Sequence, residues 1–401
     1  MRILAFSSLF PNSVEPSHGI FVYRRVSHIA KIAGVELEAI APVPFVPAWV
    51  AARRWRKFAG IPRSESIGGL RVHHPRYPLV PKISMPLHGL LMFLGAQRLA
   101  RHLHAQNPFH CIDAHYIYPD GFAAVLLGKV LRIPVVVWAL GTDINLFSSF
   151  PTIRPLIRWT LSNALEVVTV SAALKARVLE LGVPENKVRF IGNGVETEVF
   201  RMLPRDEARR ALGIPEEGKV LVCVAALREA KGQQHIITAL AMLASRRPEL
   251  KLYLVGEGEN RRHLVSLVRE LSLQNRVVFV GSRDNEEIPL WFNAADASIL
   301  ASSREGWPNV ILESLACGTP VIATPVGQVP ELLGAGDFGQ LVEQVPALLA
   351  SSIEAVLSRT WDRKNLERFA HARPWKTVSI EYEGLLEKLI DNNQTDCSAF
   401  A

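Results

Sequence analysis

Two carboxylates open the chemistry of this chain. Glu305 and Glu313 stand eight positions apart, with Gly306-Trp307-Pro308-Asn309 between them. Pro308 has a fixed φ and no N–H to leave unpaired, which suits the first position of a helix. The pattern predicts a helix over Asn309 to Ala316 that stops at Gly318, then a short buried strand over Pro320 to Ala323. Around Pro308, the backbone N–H groups of Gly306, Asn309, Val310 and Ile311 would lie at that helix start with partial positive charge, a seat for an anionic phosphate. Glu305 precedes the helix and Glu313 sits about one turn into it, so one ligand could offer hydroxyl groups to both. A phosphate flanked by polyols describes a nucleotide sugar. Taken alone, two glutamates at this spacing read more plainly as solvated acids around an ordinary α/β helix.

Other groups with chemistry stand where predicted strands end. A strand over Val220 to Ala225 delivers Arg228 and Lys231 at its C-terminal edge. Leu252 to Val255 ends in Gly256-Glu257-Gly258, and Val277 to Val280 ends in Gly281-Ser282-Arg283. In the first half, FHCIDAHYI leads into Tyr116-Ile117-Tyr118-Pro119-Asp120-Gly121, and Val135 to Leu140 leads into Gly141-Thr142-Asp143. His115, Tyr118, Asp120, Gly141 and Asp143 are thereby candidates on the acceptor side, because ligands of open α/β sheets bind at the carboxyl ends of strands. For His115 a satisfied structural histidine is an equal alternative. Gly19 joins the first strand to the first helix, where it serves either as a turn or as a close backbone approach to a ligand.

The elements that must position these groups alternate strand and helix along the chain, as in doubly wound α/β domains. At 401 residues there is room for two of them. The stretch from Pro42 to Pro86 is proline-rich and reads as irregular. The last helix is expected over Pro374 to Ile390, with Trp375, Tyr382 and Leu385 on its apolar face. Four scattered cysteines form no C-x-x-C pair, which argues against a disulfide framework or zinc site and fits a reducing compartment. No apolar run is long enough to span a bilayer, and MRILAFSSLF reads as a first strand, so the expected location is the cytoplasm. Residues 1–200 carry 22 Lys/Arg against 12 Asp/Glu, and the remainder 23 against 26. The basic half contains Ala51 to Gly60, where Arg53, Arg54, Arg56 and Lys57 alternate with Trp55 and Phe58. That segment reads either as a solvated face or as a footing on an anionic membrane surface. No nucleic-acid module is visible, so nucleic acid is not an expected partner.

The stretch SSREGWPNVILESLACGTPVIATPVGQVPEL resembles the C-terminal signature of the retaining family 4 glycosyltransferases, with their paired-glutamate E-x7-E motif. HYIYPDG, GTDIN and GNGVE resemble segments of the same family. The resemblance runs from Gly19 to about Tyr382, and it is looser between residues 42 and 107. It implies the GT-B fold: two Rossmann-like doubly wound α/β domains facing a central crevice. An acceptor-binding domain would span 1–200 and a nucleotide-sugar-binding domain 201–372, with a helix in 373–401 crossing back to the first. By the same resemblance Glu313 holds the nucleotide ribose, Glu305 meets hydroxyls of the transferred sugar, and Lys231 grips the diphosphate. The loops ending in Gly258 and Arg283 cradle the base, and the Gly19 loop borders the donor diphosphate. The family pattern G-R-L-x-x-x-K-G has its arginine at Ala226 here, with Arg228 two residues on. Many members carry histidine where this chain has Leu140, so the polar contact would come from His115 or from the Leu140 carbonyl.

The resemblance implies a metal-independent, retaining transferase of hexosyltransferase type that needs no cofactor beyond its nucleoside-diphosphate sugar. The acceptor would be a glycan or lipid-linked intermediate of bacterial surface-polysaccharide synthesis, with the protein peripheral on the inner membrane face. A nucleotide-sugar epimerase or hydrolase on the same fold is one alternative, and a non-catalytic partner subunit, which Leu140 and Ala226 keep open, is another.

Overall fold

The computed structural model describes residues 1–16, 18–45, 57–79, 84–334 and 336–398. Residues 51–56 of the basic aromatic segment lie outside them, so the footing expected at 51–60 does too, apart from the 3-10 turn Lys57–Gly60 at its end. The chain forms two compact units, Met1–Gly192 with Lys376–Ala401, and Asn193–Trp375.

The first unit contains strands β1 (Arg2–Phe6), β2 (Glu36–Ile40), β3 (Val43–Phe45), β4 (Ser64–Ile67) and β5 (Leu70–His73). It continues with β6 (Arg76–Pro78), β7 (Cys111–His115), β8 (Val135–Ala139), β9 (Glu166–Thr169) and β10 (Val188–Phe190). Its main sheet runs β10-β9-β8-β7-β1-β2-β5-β4, parallel except for the β4–β5 hairpin. Every residue of β1, β7 and β8 is buried, as befits parallel strands covered by helices on both faces. Each aliphatic side chain so enclosed contributes about 1.5–3 kcal/mol.

The second unit contains β11 (Lys219–Val224), β12 (Leu250–Val255), β13 (Val277–Gly281), β14 (Ala297–Leu300), β15 (Val321–Ala323) and β16 (Gly339–Leu341). They form one parallel sheet in the order β13-β12-β11-β14-β15-β16. Two apolar clusters cover it, one built around Trp291, Phe292 and Leu315, the other around Ile236, Leu240 and Leu349.

Strand order reverses once in each sheet. In the first unit β1 lies between β2 and β7, and in the second β11 lies between β12 and β14. Loops leaving the carboxyl ends of the two central neighbours diverge there, which opens a ligand crevice.

Four details differ from the sequence reading. The stretch read as irregular contains β3 to β6, including the β4–β5 hairpin around Gly68-Gly69, a turn signal of the kind that favours hairpins. The first unit closes at Gly192 rather than 200, because Val195 pairs with Pro374 and Phe200 is buried in the second unit's core. That same pairing carries the second unit to Trp375 rather than 372. The final helix spans Trp375–Ser398, and its buried face uses Val378, Tyr382 and Leu386 in place of Leu385. From Lys376 onward this helix belongs to the first unit, where the Tyr382 hydroxyl donates to Asp113 at 2.6 Å. The crossing-back helix is thus present.

Candidate functional site

The switch point of the second sheet gathers most of the sequence candidates. β11 and β14 pair directly, Leu221 against Ala297 and Val222 against Ser298. After β11 the chain turns through Glu229–Lys231, a 3-10 turn, into Gly232 at φ 70°. A Cβ at Gly232 would stand 1.9 Å from the Ala301 carbonyl, so only glycine lets this turn press against the end of β14. The two loops are joined further by the Ser303 N–H, which donates to the Ala230 carbonyl at 2.9 Å.

That approach brings Lys231 to Glu305. The ammonium lies 2.6 Å from Glu305 Oε1, and the Ser302 hydroxyl donates to the same oxygen at 2.6 Å. Glu305 Oε2 has no hydrogen-bond partner among the described residues, so one oxygen anchors the carboxylate and the other is available. Lys231 and Glu305 side chains are 28% and 11% exposed, so the pair is partly desolvated yet still open to a ligand. Gly327 fixes the backbone from the other side. At φ 59°, its Cβ would lie 2.4 Å from the Glu305 carbonyl oxygen, and the Gln328 N–H donates to the Gly306 carbonyl at 3.3 Å.

The helix beside this pair spans Asn309–Ala316 as expected. Pro308 is the N-cap, at φ −80° and ψ 94°, rather than the first helical residue. Ile311 is not a free donor either, since its N–H already bonds the Pro308 carbonyl at 3.1 Å. That leaves the Asn309 and Val310 N–H groups at the helix start, and Gly306 in the loop before it. The Asn309 side chain accepts from Asn193 at 2.8 Å. Glu313 is buried in the helix, 8% exposed. Gly318, at φ 68°, ends the helix as its sequence position suggests.

The remaining donor-side candidates form the rim. The loop after β12 is stitched to that after β11 by Leu227 N–H to Glu257 carbonyl and Asn260 N–H to Leu227 carbonyl, both 3.0 Å. Gly258 sits in that seam, where a Cβ would meet the Leu227 carbonyl at 2.2 Å. Arg228 is exposed and makes no side-chain ion pair among the described residues. Arg283, by contrast, pairs with Glu287 at 3.1 Å on the surface. Gly19 belongs to the first unit, and the close approach it permits is to its own chain: a Cβ would lie 2.2 Å from the Leu9 carbonyl carbon.

The candidates expected to face an acceptor lie in the first unit, and their side chains are turned inward. His115 is fully buried: Nε2 donates to Asp113 at 3.1 Å and Nδ1 accepts from Arg25 at 3.4 Å. With both ring nitrogens engaged, it does not provide the polar contact that Leu140 lacks. Tyr118 is buried and donates to the Met85 carbonyl at 2.8 Å. Asp143 collects backbone N–H groups, from Ile117 at 2.9 Å, Gly141 at 2.8 Å and Leu140 at 3.2 Å. It thereby locks the turn at Gly141, whose φ is 136°, onto the loop after β7. Burial raises its carboxyl above the ordinary range against the pull of those hydrogen bonds. Asp120 accepts from the Ser8 N–H through Oδ1, while Oδ2 is buried without a partner. These residues shape the strand-end loops and do not turn their side chains outward to a ligand.

Family models described as "Glycosyltransferase Family 4" and "Glycosyl transferases group 1" match residues 46–199 and 204–373, together about four fifths of the chain. The chain belongs to the family 4 glycosyltransferases. It is 31% identical to N-acetyl-alpha-D-glucosaminyl L-malate synthase of Bacillus anthracis over 58% of this glycosyltransferase and 61% of that relative, so the match spans less than two thirds of the relative's length. A putative teichuronic acid biosynthesis glycosyltransferase, TuaC of Bacillus subtilis, is 26% identical over 94% of this chain and 91% of its own. Among solved structures, Anabaena Alr3699/HepE in complex with UDP-glucose superposes with a TM-score of 0.70 at 21% identity, covering 96% of this chain and 99% of that one. That likeness establishes the GT-B architecture of the glycosyltransferase.

Sequence reasoning missed the groups that hold its site in place. Ser302 orients Glu305, and the Thr324 hydroxyl in turn donates to the Ser302 carbonyl. A signal existed, because Ser302-Ser303-Arg304-Glu305 has the S-x-x-E spacing at which two side chains approach one another. Asn193 and Gly327 left no such signal, since their contacts are made by distant chain segments.

Asp120 gives the glycosyltransferase a pH signature. Burial lifts its carboxyl to about 7, whereas in the unfolded chain it titrates near 4. Between those values the folded protein keeps a proton that the unfolded chain has released, so stability falls as pH rises through that window. Asp120→Asn keeps an acceptor for Ser8 and removes the titration. The variant's stability relative to the parent should therefore rise by about 2–4 kcal/mol between pH 5 and pH 8. Urea unfolding at the two pH values reads the difference, and parallel pH profiles would contradict the assignment.

Proposed function

We propose that the protein transfers a sugar from a nucleoside-diphosphate sugar to an acceptor hydroxyl with retention of configuration and without a resident metal. The acceptor is a lipid-linked or polysaccharide intermediate of cell-surface glycan synthesis. The observation that carries this reading is the Lys231–Glu305 pair held at the sheet's switch point beside the start of the Asn309–Ala316 helix. The UDP-glucose bound by HepE and the teichuronic acid pathway named for TuaC support the donor and acceptor classes.

In the proposed step the bond between the sugar's anomeric carbon and the β-phosphate oxygen breaks. The acceptor oxygen bonds to the same face of that carbon, and its proton passes to the departing phosphate oxygen, releasing nucleoside diphosphate. The chain's contribution is positioning and charge stabilisation. Lys231 donates one N–H hydrogen bond to Glu305 and has two N–H groups left for phosphate oxygens, and Asn309 and Val310 N–H groups add the helix dipole. Glu305 Oε2 accepts from a sugar hydroxyl and Glu313 from the ribose. Arg228, exposed on the loop after β11, joins the diphosphate in this reading.

A thermal-shift panel of UDP-, GDP-, ADP- and dTDP-sugars tests the reading. One base class should raise the unfolding midpoint, because a ligand at a hundred times its dissociation constant stabilises by about 2.7 kcal/mol. The reading fails if no nucleotide sugar produces a shift.

A further inference from the structure

The helix His88–Gln106 has two unlike faces. Its inner side buries Gly89, Met92, Ala96, Ala100 and Leu103, and it is clamped at close range: a Cβ at Gly95 would lie 2.6 Å from the Arg76 carbonyl. On the outer side Leu87, Leu90 and Leu94 are 53%, 42% and 50% exposed. Arg98 and Arg101 continue the same stripe and are also exposed. At 3.6 residues per turn these five positions fall within about 80° of one another. Neither arginine makes a side-chain ion pair or hydrogen bond among the described residues, and the helix HGLLMFLGAQRLARHLHAQ contains no acidic residue. No helix among the described residues is long and apolar enough to cross a membrane.

We propose that this outer face seats the protein on an anionic lipid surface, with the three leucines entering the interfacial region and Arg98 and Arg101 meeting lipid phosphates. An exposed leucine stripe needs an apolar phase, and a run of cations without acids needs a surface of one opposite sign; an anionic leaflet supplies both. The basic balance of residues 1–200 acts in the same direction. The footing lies on this firmly packed helix and does not require residues 51–60. It suits the lipid-linked acceptor proposed above yet stands apart from it, because lipid binding is read without nucleotide sugar.

Flotation of the purified protein with vesicles of phosphatidylcholine and phosphatidylglycerol, against phosphatidylcholine alone, tests the proposal. The protein should float with the anionic vesicles only and be released by salt. Leu90→Gln with Leu94→Gln should lower partitioning at least tenfold, and Arg98→Ala with Arg101→Ala by about fivefold per cation while flattening the salt dependence. Both double variants should keep the parent's circular dichroism and thermal midpoint, since all four side chains are exposed. Absence of flotation by the parent, or equal flotation by the leucine variant, overturns the proposal. So does a concentration-dependent dimer that the leucine variant abolishes, which would make the stripe a contact between two copies.

Discussion

Lys231→Ala is expected to lower the rate of sugar transfer about a hundred- to a thousandfold, the usual effect of removing one positioned donor from a developing charge. The ammonium is placed by a turn that only glycine at 232 allows and is held 2.6 Å from Glu305. Its removal leaves Glu305 with the Ser302 hydroxyl as an anchor, so folding should change by less than about 1 kcal/mol, as for a partly exposed pair. The separation of the two effects is diagnostic. A kcat collapse with an unmoved thermal midpoint places Lys231 at the reacting diphosphate. Lys231→Arg should not restore the rate, because a planar fork does not fit where a compact ammonium lies. Glu305→Gln retains an acceptor for Ser302 and removes the anion that holds Lys231, so its rate should fall too. Steady-state kinetics with the donor found by thermal shift decide the matter; near-parental turnover in both the Lys231 and Glu305 variants would exclude this site.

Asp113→Ala should have the largest effect on stability, a loss of about 3–5 kcal/mol, as when one partner of a buried ionic network is removed. Its Oδ1 accepts from Trp138 Nε1 at 2.8 Å and from the Tyr382 hydroxyl at 2.6 Å, and its Oδ2 accepts from His115 at 3.1 Å. Three buried donors would lose their acceptor at once. Arg25, stacked 3.9 Å over the Trp138 ring and lowered to about 10 by burial, would also lose the opposing charge of Asp113. Tyr382→Phe removes only one donor and leaves Asp113 two, so about 1–2 kcal/mol is expected. Chemical denaturation of both variants should preserve that order. A loss below about 1 kcal/mol for Asp113→Ala would show that the network is not the tie between the last helix and the first unit's sheet.

The candidate site of the second unit was legible in the sequence because its logic is local. The Asn309–Ala316 helix, its glycine stop and the strand ends carrying Lys231 and Glu305 are written in turn residues and periodicity. What periodicity does not carry is which strand ends become neighbours. The direct contact of Lys231 with Glu305 depends on β11 pairing with β14, with Leu221 opposite Ala297, 76 positions on in the sequence, and no local pattern specifies that. The first unit was harder for the same reason. His115, Tyr118, Asp120 and Asp143 have the residue types of a polar site, yet each finds its partner inside the fold: Asp113, Met85, Ser8 and the Gly141 turn. Residue type announces hydrogen-bonding capacity, and only packing decides whether a ligand or the protein itself uses it. The β4–β5 hairpin was hidden differently. Its glycine pair was visible, but the surrounding prolines outweighed it.

The discontinuous first unit has a consequence for synthesis. Asp113 emerges from the ribosome early, but its partner Tyr382 is translated only after all of Asn193–Trp375. Until then the buried carboxylate lacks one donor, and the sheet lacks the helix that covers it. The second unit is contiguous and can complete its core first, as domains do during vectorial synthesis. The nascent first unit therefore waits, unfinished, until its last helix has been made.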